Sequence, residues 1–423
     1  MTALSTRLQP LFEKTKTVCF GHFLLEVPST ATVVFGPAHV ESPITYFPGE
    51  GDKVAQHLAA LLREVEADRR FLDQVDLAKL SKFGKVEDGA MPGQKLIFGS
   101  KDHTNYSVDS LIPLGPDLFI QHADGALSLG EEISSLNAVA RSLRLRAESE
   151  IPEEPGACIE GGFVSFQPEY ERIGLGVRLK EFPDVHFSID ATKKPILVAS
   201  DALEPRLVQA EKDARREGLG LLYSRIKTFR RGPRKVDDWN GFEVLARKPA
   251  NGDETEAHEF LFLSQGSPND PLRPVLDVQF NTGVGGNRTA SVKPSLNDEE
   301  AVALWDKLIT SIRVRPTGDA AKTSTATPPK TPLGAYIDSG AECPHSGWWR
   351  CSDSGEVAGG RRRHFVEGDV MPPVVVLGKP DVWQKIRGQR PGHEIPTVWE
   401  LMEYDQVSGA EDATPDAGPP NQA

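Results

Sequence analysis

The residues of this 423-residue chain with reactive side chains are four cysteines, ten histidines and one dense basic run. Cys343 and Cys351 bracket the loop CPHSGWWRC and are spaced for a local disulfide, given an oxidising compartment. Cys19 and Cys158 lie far apart, and no pairing for them follows from the sequence; reduced structural thiols are the alternative for all four. Cys343, His345, Cys351 and His364 also suggest zinc, but the CxxC or HxxxH pairs that structural zinc favours are missing. His22, His57, His186 and His258 fall on strand-like or helix-like stretches without metal-ligand spacing.

The chain has no GxSxG elbow, no HExxH, no Walker A loop and no GxGxxG after a strand. Gly283-Val-Gly-Gly-Asn287 lacks the Lys-Ser/Thr ending of a phosphate loop and reads as a hairpin turn. Gly174-Leu-Gly176 sits inside an alternating strand, where glycine marks a bulge or a close backbone approach. The carboxylate pairs Glu299-Glu300 and Asp237-Asp238 fall at a helix start and a turn, so structure alone accounts for them. The run Lys227 to Lys235 (KTFRRGPRK) reads as a solvated hairpin rim, with docking of an acidic partner or a phosphate patch as alternatives; Arg361-Arg-Arg363 reads as a solvated turn. No catalytic, cofactor-binding or metal residue is assigned.

Composition narrows the class further. With 48 Lys+Arg against 61 Asp+Glu, the formal charge is −13, which argues against general nucleic-acid or anionic-membrane binding. No stretch approaches the ~20 apolar residues of a membrane helix, so no membrane insertion is expected. The opening MTALSTRLQPLFEKTKTVCF has no apolar signal region. The expectation is therefore a cytoplasmic protein, or one whose given start lacks a leader.

The elements that must position any site come from hydrophobic periodicity. Two stretches read as linkers: Ser149 to Gly156, acidic and Pro-rich, and Thr317 to Pro332, rich in Thr, Ala and Pro. They separate 1–148, 157–316 and a small 333–405 piece, with a polar tail over 406–423. The first two pieces follow one plan. Cys19-Phe-Gly-His-Phe-Leu-Leu-Glu-Val opens one and Cys158-Ile-Glu-Gly-Gly-Phe-Val-Ser-Phe the other. Ala140-Arg-Ser-Leu-Arg-Leu-Arg146 closes one and Ile309-Thr-Ser-Ile-Arg-Val-Arg315 the other, each behind an acidic helix start. A helical stripe Val54, Leu58, Leu61, Leu62, Val65 matches a second of Leu203, Leu207, Val208 and Ala214.

Strand-like alternation runs through Ile173–Leu179, Val185–Ile189, Phe242–Ala246 and Leu276–Phe280. The fold class is α+β: two similar domains, related by internal duplication, each an antiparallel sheet with two helices on one face. The 333–405 piece holds four of the six tryptophans and reads as a small Trp-rich β module, with strands at Val374–Leu377 and Val398–Met402 and helical turns at Asp381–Arg387.

Lys16-Thr-Val-Cys-Phe-Gly-His-Phe-Leu-Leu-Glu-Val-Pro28 resembles the opening of the immunity proteins that guard against type VI secretion lipase effectors. The stretch from Gly156-Ala-Cys-Ile-Glu-Gly-Gly-Phe163 to Ile312-Arg-Val-Arg315 is similar to that family's C-terminal domain, and Ser346-Gly-Trp-Trp-Arg-Cys351 resembles a small module that accompanies type VI proteins. The resemblance implies a non-enzymatic protein whose partner is a cognate phospholipase effector, blocked by a two-domain clamp over its active-site mouth or lid. It also implies periplasmic action, against the given N-terminus. A secretion adaptor or chaperone that docks an effector is the alternative, and an unrecognised hydrolase a third. The resemblance carries over no interface residues, so the partner-binding positions are unassigned.

Overall fold

The computed structural model describes residues 4–318, apart from 126–127, 253 and 287–288, and residues 334–404, apart from 353–356, 358–360, 366–367 and 378–391. The helical turns expected at Asp381–Arg387, the tail over 406–423 and nearly all of the 317–332 linker lie outside the described residues. The chain divides into two units, Met1–Thr323 and Ser324–Ala423.

In the larger unit a front half contains the hairpin β1 (Thr15–Phe20) and β2 (Phe23–Pro28), then β3 (Thr32–Phe35), β4 (Ala38–Val40) and β5 (Ser42–Phe47). Helices α1 (Val54–Asp68) and α2 (Gln74–Lys79) follow, then β6 (Val86–Asp88), β7 (Lys95–Ser100), β8 (Tyr106–Leu114), β9 (Asp117–Ala123), α3 (Leu129–Ser142) and β10 (Leu143–Leu145). The back half contains the hairpin β11 (Ala157–Ile159) and β12 (Gly162–Val164), then β13 (Glu171–Leu179), β14 (Phe182–Lys193), α4 (Leu203–Arg216) and α5 (Gly220–Tyr223). It continues through β15 (Lys227–Val236), β16 (Trp239–Lys248), β17 (Ala257–Ser264), β18 (Val275–Asn281), the short pair β19 (Val284–Gly285) and β20 (Thr289–Ala290), α6 (Asp298–Ile309) and β21 (Arg313–Val314).

Both halves enter one 13-stranded sheet in the order β15-β16-β17-β18-β14-β13-β4-β5-β9-β8-β7-β6, with β3 also paired to β13. Read outward from the centre, β4-β5-β9-β8-β7-β6 and β13-β14-β18-β17-β16-β15 are the same winding, so the two halves share one strand order. They meet where β13 pairs antiparallel with β3 and β4. At that junction the Gly36 N–H donates to the Gly174 carbonyl at 2.9 Å, and a Cβ on Gly36 would come within 3.3 Å of the Gly174 Cα. The glycines of the β13 alternation thus sit at a close backbone approach, as expected.

The acidic helix starts are capping boxes. Ser128 with Glu131 opens α3, and Asn297 with Glu300 opens α6. The expectation that both helices of each half lie on one face is corrected. Leu96, Phe98 and Val108 face Leu136 of α3, whereas the intervening Ile97 and Leu111 pack against Val65 of α1. Likewise Val244 and Ala246 face Leu203 of α4, while Leu245 joins Trp305 of α6. Successive strand residues point to opposite faces, and here both parities are apolar, so each sheet needs a helix on either side. The main core fills the face carrying α3 and α6, where Val40, Ile44, Ile173, Ile189 and Phe280 join residues of both helices in one cluster. Helices α1 and α4 share the other, outer face.

The closing strands are exchanged. β21, the end of the back half, pairs with β2 of the front hairpin, and β10, the end of the front half, pairs with β12 of the back hairpin. The two hairpins are bonded to each other through Cys19 and Cys158, both fully buried. This corrects the expectation of a Cys343–Cys351 bridge. Those two are separate buried thiols, and the Cys343 Sγ contacts the His345 carbonyl at 3.2 Å instead of a second sulfur.

In the smaller unit, β22 (Tyr336–Asp338), β23 (Gly347–Cys351), β24 (Arg362–Phe365) and β27 (Val398–Tyr404) form an antiparallel sheet in the order β22-β27-β23-β24. β25 (Val374–Leu377) pairs with β26 (Gly392–Ile395), so both strands read from the sequence are present. Trp349 and Trp399 are fully buried with Cys343, Cys351, Met371 and Leu401.

Candidate functional site

The outer face of the larger unit has a helix pair at each end and an open floor between. Side chains of even-numbered residues in β13 and β14 point onto this floor, because their odd-numbered neighbours fill the core. Gly174 pairs with Asp190, Gly176 with Ser188 and Val34, and Ser188 with Gln279. Small and polar residues in register leave the floor shallow and hydrated, and Val34 is 52% exposed.

Each flanking helix pair carries apolar residues at its corner. At the α1–α2 corner, Phe71 before α2 is 60% and Val75 in its first turn 61% exposed; at the α4–α5 corner, Leu219 before α5 is 47% and Leu221 within it 84% exposed. These corners occupy equivalent places in the shared strand order. Large apolar side chains thus stand exposed at two matched positions of the outer face. The sequence reading missed them. It followed the apolar stripes of α1 and α4, and Phe71 and Leu221 lie beyond those stripes. It also assigned Val208 to the α4 stripe, but Val208 is exposed.

Beside α4 the floor deepens into a hollow of about 400 Å³ lined by Tyr170, Asp190, Ile196, Val198, Arg206 and Asp277, among others. The Arg172 Nε donates to Asp190 at 2.7 Å, and the Thr192 hydroxyl to the same carboxylate at 2.6 Å. Asp277, opposite Asp190 across the strands, accepts only the Gln279 amide at 3.2 Å among the described residues. Burial pushes the Asp277 carboxyl above its ordinary range.

The constellations that sequence reading singled out are structural. In the basic run, Arg230 and Arg234 turn inward onto Asp306 at 2.6 and 2.7 Å, and Arg234 reaches Glu243 at 2.7 Å. Trp305 Nε1 donates to the same Glu243 at 3.3 Å. Burial acts against the charge on Asp306, yet the two guanidinium groups hold its carboxyl below the ordinary range. Lys227 pairs with Asp298 at 2.7 Å. Most cations of the run are thus paired with the chain's own carboxylates.

His258 bonds Thr282 through Nδ1 and Asp298 through Nε2, both at 2.9 Å, an order of groups that outwardly matches a hydrolase triad. Thr282 is fully buried, however, and its hydroxyl also accepts the His258 backbone N–H at 2.9 Å, so it closes a β-ladder gap. Burial lowers the His258 pKa. His22, expected in a strand, lies in the β1–β2 turn and bonds Glu171 at 3.1 Å, both side chains buried. His57 reaches Glu50 at 2.5 Å on the α1 surface.

The basic ends of the two closing strands are clamps for backbone carbonyls. Buried Arg146 donates to the carbonyls of Ile159 and Gly162 in the back hairpin and of Ala147, Glu148 and Glu150 beyond its own strand. Buried Arg315 donates to those of Pro152, Glu154 and Gly156. Arg144 pairs with Glu150 at 2.8 Å and Glu154 at 2.5 Å. The stretch expected as a linker at 149–156 is therefore a strap pinned along its length.

Residues 150–317 match the family described as the Tle cognate immunity protein 4 C-terminal domain. Among solved structures, the apo immunity protein TplEi of the type VI secretion system of Pseudomonas aeruginosa is 23% identical, with a TM-score of 0.55 over 72% of this chain and 98% of that one. TplEi in complex with the "L" peptide is 24% identical, with a TM-score of 0.54 over 72% and 99%. The chain in the Tle4–Tli4 complex is 24% identical, with a TM-score of 0.56 over 72% and 98%. No curated protein matches the chain.

Proposed function

We propose, for a chain whose residues 150–317 match the Tle cognate immunity protein 4 C-terminal domain family, that it is an immunity protein. In this reading it binds a cognate type VI lipase effector and silences it without chemistry of its own. One observation carries the geometry of the proposal: two apolar corners, Phe71 with Val75 and Leu219 with Leu221, stand at matched places on one face with an open floor between them. They form the two arms of a clamp whose floor covers the effector's active-site mouth or lid. Inhibition then follows from occlusion and from holding the lid in one state.

Rigidity supports this reading. The exchanged strands, the Cys19–Cys158 bond and the pinned strap fix the spacing of the arms before binding, so little ordering entropy is lost on capture. The −13 charge favours fast capture of a basic partner. The buried disulfide supports action in an oxidising compartment such as the periplasm. Absence of turnover fits a structure whose His–Asp–Thr grouping has its hydroxyl buried and bonded.

The test is co-purification with the lipase encoded beside the gene, followed by a lipase assay with increasing amounts of this protein. Stoichiometric loss of lipase turnover is expected. No complex with that lipase, or full turnover in the presence of excess protein, overturns the proposal. So does hydrolytic turnover by this protein alone.

A further inference from the structure

We infer that the hollow between α4 and the sheet floor receives a single arginine or lysine side chain of the effector, seated against Asp277. The inference rests on the immunity reading and adds to it the chemistry of one contact. Its basis is one carboxylate left without an ion pair in a hollow also lined by Arg172, Lys194 and Arg206. Asp190 and Asp277 are directly opposed across β14 and β18, an unfavourable pairing for two carboxylates. Arg172 and Thr192 satisfy Asp190, whereas among the described residues Asp277 has no ion pair and a single amide donor at 3.2 Å.

The carboxylate of Asp277 is moreover partly shut off from water. On its other side it faces the buried Leu263 across β17. A desolvated carboxylate with one weak donor is a vacancy for a cation.

The walls complete the fit. Ile196 is 50% exposed, Val198 49% and Tyr170 37%, so the hollow offers apolar walls beside the Asp277 carboxylate. A lysine or arginine has that polarity along its length, an aliphatic stem and a cationic head. Arg206 and Lys194 also line the hollow, with Asp201; neither cation is ion-paired with Asp277 among the described residues, although Arg206 and Arg172 lie near enough to favour its charged form. Arg206 is the rival occupant: were it to turn inward, the hollow would be closed from within.

The test is titration calorimetry of the full chain with the purified lipase encoded beside its gene. D277N removes the charge and keeps the shape; it is expected to weaken binding at least 10-fold with an unchanged melting temperature. D277K is expected to weaken it about 30-fold or more, the scale of a broken desolvated charge pair. A scan of single Lys→Glu and Arg→Glu changes on the lipase should then yield one that restores binding to D277K. R206A is expected to leave affinity within twofold of wild type or to improve it.

Wild-type binding with D277N also within twofold of wild type overturns this inference alone. So does an R206A chain that loses affinity as D277N does, since the pocket's cation would then be its own. A wild-type chain that does not bind the lipase overturns the immunity reading, and this contact with it.

Discussion

The front and back halves of the larger unit are wound alike but dress their outer faces differently. In front, Leu58, Leu61, Leu62 and Val65 of α1 close over Ile97, Leu111 and Leu118, and Leu72, Leu77, Leu80 and Phe83 extend that cluster. Behind, α4 buries only Leu203, half-buries Leu207 and leaves Val208 exposed. The back half also has the hollow that contains Asp277. One strand order therefore supports a firmly seated helix pair and a looser one.

Breaking the covalent tie should affect both halves together and most strongly. The disulfide closes a loop of 139 residues, and its removal by C19A/C158A should cost about 4–5 kcal/mol on chain-entropy grounds. Denaturant melts of the variant against wild type measure it. A loss below about 1 kcal/mol would show that the exchanged strands hold the halves unaided.

The carbonyl clamps sharpen the comparison next. R146A and R315A each orphan several buried carbonyls, and each should cost about 3 kcal/mol. Because each clamp crosses into the other half or the strap, the larger unit should still melt in one transition, apart from that of the smaller unit. A larger unit that melts in two steps would mean that its halves are independent domains.

The apolar corners should matter for binding and hardly for folding. F71S and L221S are each expected to change stability by less than about 0.5 kcal/mol, as surface substitutions do. Each should weaken lipase binding by about 1–2 kcal/mol if both arms grip, as read by calorimetry. Loss with L221S but not F71S would leave a one-armed contact.

The smallest effect separates two histidines by sign. Burial, with Arg178 adding to it, lowers His186 in the back half to about 4, whereas the bond to Asp109 raises His122 in the front half. A histidine that resists protonation when folded contributes stability above the unfolded value near 6.5, and that contribution is lost as pH falls from 6.5 toward 4. His122 acts oppositely: its contribution is complete below 6.5 and lost as pH rises through its raised pKa. Proton NMR titration should find His122 above 6.5 and His186 near 4; equal values would remove the distinction.

Several features were legible in the residues. The strands of β13, β14, β16 and β18 appear where period-two alternation placed them, and α3 and α6 begin at their acidic caps. The two openings that rhyme in sequence are both hairpins, and the two closings are both short strands. The helices on opposite faces were misread because strands such as Lys95–Ser100, with apolar residues at both parities, carry no signal for a single buried side. The apolar corners and the Asp277 hollow gave no local signal at all. An exposed Leu221 and a buried leucine are the same letter, and a carboxylate lacks a partner only relative to strands brought together from far along the chain.

Local order, then, was written in the sequence: which stretches alternate, where helices start, and that the chain repeats a plan. Hydrogen-bonding period and capping chemistry act over a few residues, so a linear reading captures them. Tertiary structure alone decided that the repeats exchange their last strands and that Cys19 bonds Cys158 rather than Cys343 bonding Cys351. It also decided that the basic run is neutralised from within and that one face stays open. Those outcomes depend on which residues distant in sequence become neighbours, and spacing along the chain holds no record of that.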